Sequence, residues 1–178
     1  EERAWPLIGF KAKSKRHSRP CQGTFLRGMF WPLESPVVID GFTVSHKWAW
    51  MPSAVCKMGK IQRALRRDET VESMAMGMAM NISTGDCDIP ILGAFRRALV
   101  RGAGVFSGTS PSTSENYRPT MDSSLRLSRR VALGLIQDRY GVTKAAVEEI
   151  EAMYDSIHEL PAFVQHESLG KIVEIDYA

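Results

Sequence analysis

The chain contains little cysteine, and the cysteines it has are poorly placed for a metal site or a disulfide framework. Three of its 178 residues are Cys, at positions 21, 56 and 87. No two of them have the Cys-x-x-Cys spacing of zinc ligands. His17 and Cys21 are four residues apart and can share a helix face, but two ligands are fewer than a zinc site needs. The cysteine content therefore predicts a reducing, cytosolic compartment.

Long hydrophobic runs are also missing. No stretch of about 18 uninterrupted apolar residues occurs, which predicts that the chain has no transmembrane helix. We find no pattern of a secretory signal peptide. The chain begins at Glu1 rather than Met, which we interpret as a fragment or a processed product.

No complete catalytic motif is present. The chain lacks a GxSxG nucleophile elbow, an HExxH zinc motif, a P-loop and a GxGxxG turn. Gly85-Asp86-Cys87-Asp88 superficially resembles a polymerase metal motif, but it lies between two predicted helices instead of at a hairpin tip. We therefore interpret Asp86 and Asp88 as a helix cap and a loop carboxylate, and predict no metal ligand in this chain.

Charge is present but unevenly distributed. The net charge is +3, yet residues 140–178 contain eight acids and two bases, a net of −6. Residues 1–139 consequently carry a net of +9. This asymmetry is typical of a protein whose basic part binds a polyanion, although a solvated surface with patchy charge would have the same composition.

The basic part begins near the N-terminus. Glu1 to Ile8 is predicted to be the end of a helix that Gly9 stops. Residues 11–19 then carry five cations and no acid, and three of the lysines alternate with other residues. In a strand those three lysines would point to one side. The five cations are Lys11, Lys13, Lys15, Arg16 and Arg19.

The next segment predicts a small antiparallel β-meander. Thr24–Trp31 is aromatic and apolar, and Val37–Ile39 is β-branched. Phe42–Val44 follows Asp40-Gly41, the two-residue signal of a type I′ hairpin turn.

A strongly amphipathic helix is predicted from Pro52-Ser53 to about Arg67. Its apolar face would pack on the core, while its other face would present a line of cations that can contact phosphates. The apolar face consists of Ala54, Met58, Ile61 and Leu65, and the cationic face of Lys57, Lys60, Arg63 and Arg67, with Arg66 at its margin.

More helices follow. A Met-rich helix capped by Asp68 is apolar nearly all round, which predicts burial on most sides. Further helices are predicted at about 90–101, 123–139 and 143–156, with Gly102 ending the first and Gly141 and Thr143 between the last two. Residues 102–124 are a predicted loop, and Lys171–Tyr177 a short strand or an extended tail. The fold class is therefore α+β, a β-meander followed by a mainly α-helical bundle.

Aromatic residues lie between the two basic stretches and allow two interpretations. An exposed aromatic there would stack on a nucleic-acid base. Buried, the same residues would fill the core beneath the meander, which we expect of most of them. The residues are Trp31, Phe42, Trp48 and Trp50.

These motifs, in this order, resemble the end of the palm and the start of the thumb of positive-strand RNA virus RNA-dependent RNA polymerases, of the nodavirus-like and tombusvirus-like group. Leu7-Ile8-Gly9-Phe10 through Lys15 is similar to motif D, and Phe25-Leu26-Arg27 through Val44 to the primer-grip motif E. The cationic segment 57–67 is similar to the first thumb helix, and Asp86 through Ile91 contains a recurring Ile-Pro-Ile.

The resemblance implies a division at residue 51, with the end of the palm over 1–51 and a helical thumb-like region over 52–178. It implies templated nucleotidyl transfer with Mg²⁺ held by aspartates upstream of Glu1, so that this segment is inactive alone. Lys13 or Lys15, with Lys11 third, would protonate the departing pyrophosphate, unless all three only bind phosphate. The implied partners are RNA, nucleoside triphosphates and the rest of the polymerase chain, in a replication complex of the host cell cytoplasm. The implied RNA contacts are Lys11, Arg16, Arg19, Arg27, Lys57, Lys60, Arg63 and Arg67.

Two other functions fit the same residues. The chain could be a stand-alone RNA-binding module that uses the same basic surfaces. It could also be an adaptor whose acidic helices over 123–156 bind a partner protein. An SGxxxT and a GDD encoded upstream of Glu1 would favour the polymerase, whereas a dependence on Glu148, Glu149 and Glu151 would favour the adaptor.

Overall fold

A computed structural model describes most of the region after residue 23. The described residues are 24–25, 28–34, 37–39, 42–44, 48–55, 58, 69–82, 85–104 and 127–177. They form five strands, a short 3₁₀ helix and five α-helices, which confirms the α+β prediction. In chain order the elements are β1 (Thr24–Phe25), β2 (Gly28–Pro32), β3 (Val37–Ile39), β4 (Phe42–Val44), β5 (Trp48–Pro52), α1 (Val71–Asn81), the 3₁₀ helix (Gly85–Asp88), α2 (Leu92–Ala103), α3 (Arg129–Tyr140), α4 (Lys144–Asp155) and α5 (Glu167–Tyr177).

The strands form a three-stranded antiparallel sheet and a separate hairpin. The sheet has the order β1-β2-β5, and β3 pairs with β4 between β2 and β5 in the chain. The predicted hairpin is confirmed, because Ile39 pairs with Phe42 across Asp40-Gly41. The single strand predicted over Thr24–Trp31 is wrong, because the chain reverses and Phe25 pairs with Gly28. The apolar composition is the same on both sides of that reversal, so composition did not reveal it.

The fifth strand replaces the start of a predicted helix. Pro52 pairs with Gly28 at the end of β5, and Ala54-Val55 form a turn in which the Met58 N–H donates to the Val55 carbonyl at 3.0 Å. The prediction that a helix opens at Pro52-Ser53 is therefore wrong. Proline is tolerated there because β5 lies at one edge of the sheet that the described strands form. Residues 56–57 and 59–68 lie outside the described residues, and with them most of the predicted cationic face.

Helix α1 differs from its prediction in both its cap and its burial. The N-cap is Thr70 rather than Asp68, and it forms a reciprocal capping box with Ser73, whose N–H donates to Thr70 Oγ1 at 3.1 Å. Only Ser73, Ala75 and Ala79 are buried, whereas Met80 is 54% exposed. Burial on most sides is thus wrong, because the small residues form the contact with α2 and leave the longer methionine side chains at its edges.

The boundaries of α2, α3 and α4 lie within a few residues of prediction, except at the start of α3. Gly141 ends α3 in the left-handed conformation, and the Thr143 hydroxyl accepts a hydrogen bond from the Ala146 N–H at 3.2 Å to cap α4. Helix α2 continues past Gly102 to Ala103. Leu160 packs where a Gly102 side chain would lie, which favours glycine at this position. Residues 105–126, most of the predicted loop, lie outside the described residues.

The extended tail predicted over Lys171–Tyr177 is wrong, because these residues belong to α5. The β-branched residues Ile172, Val173 and Ile175 of this segment favour a strand. Packing overrides that preference, since Ile172 is fully buried in the main core. One helical turn later, Asp176 accepts a hydrogen bond from the Tyr140 hydroxyl of α3 at 2.9 Å. Ile172 and Asp176 therefore lie on the same face of α5, the face that meets α3.

One hydrophobic core joins the sheet to the helices. Met29, Trp31 and Met51 from the sheet lie in the same buried cluster as residues of α2, α3, α4 and α5. Leu33 also forms an isolated antiparallel bridge with Leu127, just before α3. The division at residue 51 that the resemblance implies stays a prediction.

Candidate nucleic-acid interface

The predicted basic site residues all lie outside the described residues, so their roles stay predictions. The two lysines predicted to act in catalysis are Lys13 and Lys15. The predicted RNA contacts are Lys11, Arg16, Arg19, Arg27, Lys57, Lys60, Arg63 and Arg67.

The described part of the chain shows how buried three of the four aromatic residues are. Successive side chains of a strand point to opposite faces, and Phe30 of β2 is paired directly with Trp50 of β5. Phe30 is 39% exposed and Trp50 40% exposed. We call the face that carries these two side chains the aromatic face. Trp48 lies on it too, two residues along the strand, and is half-buried.

The opposite face of the same sheet is the core face. Met29, Trp31 and Met51 alternate with the exposed aromatic residues and are almost completely inaccessible to solvent. The Trp31 indole N–H donates to the Pro52 carbonyl at 2.9 Å, so its polar group is satisfied inside the protein. Core packing is therefore confirmed for Trp31, while Trp50 is accessible to a ligand. The side chain of Phe42 lies outside the described residues.

The exposed indole of Trp50 packs against Gly28. A Cβ atom built on Gly28 would lie 2.2 Å from a ring carbon of Trp50, far inside van der Waals contact. The absence of a side chain therefore lets the Trp50 indole lie against the backbone of β2. Its position is fixed from one side by the strand, while 40% of the residue stays exposed. A pre-positioned ring loses little conformational entropy when it stacks on a base.

A second feature of the described residues is a cavity of about 400 Å³ between the 3₁₀ helix, α2, α3 and α4, which Arg97, Arg129 and Glu151 line. Arg97 forms two hydrogen bonds to Asp155, at 2.8 and 3.0 Å, and these raise the pKa of its guanidinium. Arg129 binds Glu151 through both terminal nitrogens, which likewise raises the pKa of Arg129. Both cations of this cavity already have a carboxylate partner, so the cavity offers little net charge to an anion.

Glu151 also supports a strained backbone position. Ile91 has φ = +73°, an unfavourable conformation for a β-branched residue, and its N–H donates to Glu151 Oε1 at 2.9 Å. The same carboxylate binds Arg129, so it connects the starts of α2 and α3 to α4. We interpret this cavity as a structural junction of the helices.

The Gly85–Asp88 segment has the position that the sequence predicted for it. It is a 3₁₀ helix between α1 and α2 and not a hairpin tip. Among the described residues, no group of three or more His, Cys, Asp or Glu side chains could hold a metal ion.

In the part of the chain that the structure describes, no helix has both the length and the apolar character needed to cross a membrane. Comparison of the chain with protein-family models, with curated proteins and with solved structures found no match. The functional argument therefore depends on the residues and the geometry of this chain.

Proposed function

We propose that this chain is the C-terminal palm-and-thumb segment of a viral RNA-directed RNA polymerase, in which it holds primer and product RNA. The observation that carries the proposal is the aromatic face, because an exposed, pre-positioned aromatic pair is the surface that single-stranded RNA bases stack on. The resemblance to motif E covers β1 to β4, and its first strand is paired with β2, which carries Phe30.

The fold supports the same proposal. An antiparallel sheet precedes a helical unit and shares its core, which gives the aromatic face a rigid backing. A rigid backing matters because stacking positions a nucleotide only if the ring itself does not move. The basic residues predicted to bind phosphate surround this sheet in the sequence, with Arg27 immediately before Gly28 and Lys57 shortly after Pro52.

The catalytic part of the proposal concerns residues beyond this sheet. In the complete polymerase, Mg²⁺ would supply the charge that orients the primer hydroxyl and the triphosphate. Lys13 or Lys15 would donate a proton to the pyrophosphate, since a lysine near its usual pKa of about 10.4 is protonated at neutral pH. We propose that the enzyme acts in replication complexes of the host cell cytoplasm.

The aromatic face is tested by replacing Trp50. We expect Trp50→Ala to weaken binding of a fluorescently labelled single-stranded RNA by about 5- to 150-fold, because stacking contributes about 1–3 kcal/mol per base. Fluorescence anisotropy at fixed salt measures the change.

Phe163→Ala is the matched control for this experiment. Phe163 is 98% exposed and lies in the chain between α4 and α5, so its removal deletes an exposed aromatic ring that is not part of the aromatic face. Equal affinities for the Trp50 and Phe163 variants would contradict the role of the aromatic face.

The polymerase assignment has a separate test. The nucleotide sequence upstream of the Glu1 codon is expected to encode an SGxxxT and a GDD in the same reading frame. A stop codon directly upstream, together with RNA binding, would instead identify a stand-alone RNA-binding module.

The acidic helix α4 favours the adaptor as the second candidate. Glu148 and Glu149 are exposed on α4, and Glu149 lies 3.3 Å from His166. Glu151 is unsuitable for testing this candidate because it holds Ile91 and Arg129. If a Glu148→Gln/Glu149→Gln variant lost function while Trp50→Ala kept it, the adaptor would replace the polymerase segment as the assignment.

A further inference from the structure

We propose that the groove between α3 and α4 is a second site for RNA backbone phosphate, an inference that rests on the proposed function. The groove has a volume of about 450 Å³. We call it the α3–α4 groove. Its lining includes Arg130, Leu133, Gly134, Gln137, Lys144 and Glu148, together with the edge of Arg129.

The charge of the α3–α4 groove is unbalanced in favour of cations. Arg129 is neutralised by Glu151, and the Lys144 ammonium lies 3.5 Å from the Glu148 carboxylate. Arg130 is exposed at the start of α3, and it has no hydrogen-bond or ion-pair partner among the described residues. One net positive charge therefore remains available to an anion, and the Lys144 ammonium can also contact that anion because its exposed ion pair with Glu148 is weak.

The hydrogen-bonding groups and the shape of the groove fit the same ligand. The Gln137 side-chain amide also has no hydrogen-bond partner within the described part of the chain and can donate to a phosphate oxygen. A Cβ atom at Gly134 would meet nothing within 4 Å. The space beside Gly134 is therefore open between Arg130 and Gln137, which leaves room for a ligand on this surface of α3.

The chain path connects the groove to the sheet that carries the aromatic face. The Leu33–Leu127 bridge joins the end of β2 to the segment that enters α3. Phe30 and Arg130 each lie three residues from this bridge, so their Cα atoms are at most about 28 Å apart. An RNA of about 12 nucleotides is within the range of lengths that one single-strand-binding domain holds.

The experiment measures the salt dependence of RNA affinity for the full chain. The probe is a fluorescently labelled single-stranded oligouridine of about 12 nucleotides, within the usual site sizes. For Arg130→Gln/Lys144→Gln we expect the slope of log affinity against log salt to flatten by about 1.4, because each lost phosphate contact on a single strand contributes about 0.7. Arg130→Gln alone should flatten it by about half as much.

Lys171→Gln provides the matched control. Lys171 is an exposed lysine of α5 whose ammonium lies 3.2 Å from Glu167, an i,i+4 pair like that of Lys144 and Glu148. Its slope should equal that of the wild type, because the variant removes one cation away from the groove. A double variant with an unchanged slope, or a Lys171 variant that flattens the slope equally, would overturn the groove as a site.

The Trp50→Ala variant separates this inference from the proposed function. It removes no charge, so it should lower affinity at every salt concentration and leave the slope unchanged. Lower affinity for Trp50→Ala with no change for the double variant would overturn the groove alone. If the wild-type protein does not bind RNA at low salt, both the groove and the proposed function are wrong.

Discussion

The two faces of the three-stranded sheet contain similar side chains with opposite roles. Trp31 and Trp50 both lie on paired strands, yet Trp31 is completely buried and Trp50 is 40% exposed. On the core face, aromatic and methionine side chains stabilise the fold. On the aromatic face, aromatic side chains are available for binding. The difference arises from the pleat, which sends neighbouring residues to opposite sides.

The largest expected effect concerns the core face. Trp31→Ala should lower the free energy of unfolding by about 3–5 kcal/mol, because it leaves a large cavity and an unpaired Pro52 carbonyl. Trp50→Ala should lower it by less than about 1 kcal/mol, since much of that side chain is already hydrated. Urea denaturation followed by circular dichroism measures both. Similar losses in the two variants would show that the faces are not distinct.

The next prediction extends the comparison to a tyrosine buried on the core side. Burial raises the pKa of Tyr154 to about 12, whereas its value in the unfolded chain is near 10. Because the folded-state pKa is raised, the protonated tyrosine contributes stability that is fully present below about pH 10 and is lost as the pH rises towards 12.

This contribution is on the order of 3 kcal/mol, since one pKa unit corresponds to about 1.36 kcal/mol. Unfolding midpoints between pH 9 and roughly 12 should fall more steeply for the wild type than for Tyr154→Phe. Parallel curves for the two proteins would mean that the Tyr154 hydroxyl is as hydrated in the fold as in the unfolded chain.

The third prediction concerns the packing of the Trp50 indole on the aromatic face. Gly28→Ala places a methyl group against the Trp50 ring and should displace the indole, at about 1 kcal/mol of stability. RNA affinity should fall together with a shift of the tryptophan fluorescence. Gly134→Ala is the control, because a Cβ there meets nothing within 4 Å and alanine is the better helix former. Unchanged RNA affinity in Gly28→Ala would mean that the packing of the Trp50 indole against Gly28 is unimportant for RNA binding.

Local signals in the sequence predicted the elements that they control directly. Asp40-Gly41 identified the β3–β4 hairpin, and Gly141 with Thr143 identified the junction of α3 and α4. Strand β5 and helix α5 were missed because their states depend on distant partners. Trp48–Pro52 is a strand because it pairs with β2, and residue 172 is helical because it packs in the core.

The site was harder to predict than the fold for a related reason. Phe30 and Trp31 are adjacent, and only the pairing register decides which of them is exposed. Arg130 was not proposed from the sequence because nothing local separates it from Arg129. The two arginines differ because Glu151, which lies on another helix, binds Arg129 and not Arg130.

The Glu151 carboxylate has a consequence for how the protein opens. It contacts a residue 60 positions earlier in the chain, at the start of α2, and another 22 positions earlier, at the start of α3. None of these three helices can detach without leaving a charged or strained group exposed or unpaired. Amide hydrogen exchange in α2, α3 and α4 is therefore expected to proceed through one shared opening event with a single free energy, even though the chain connecting α2 to α3 is long.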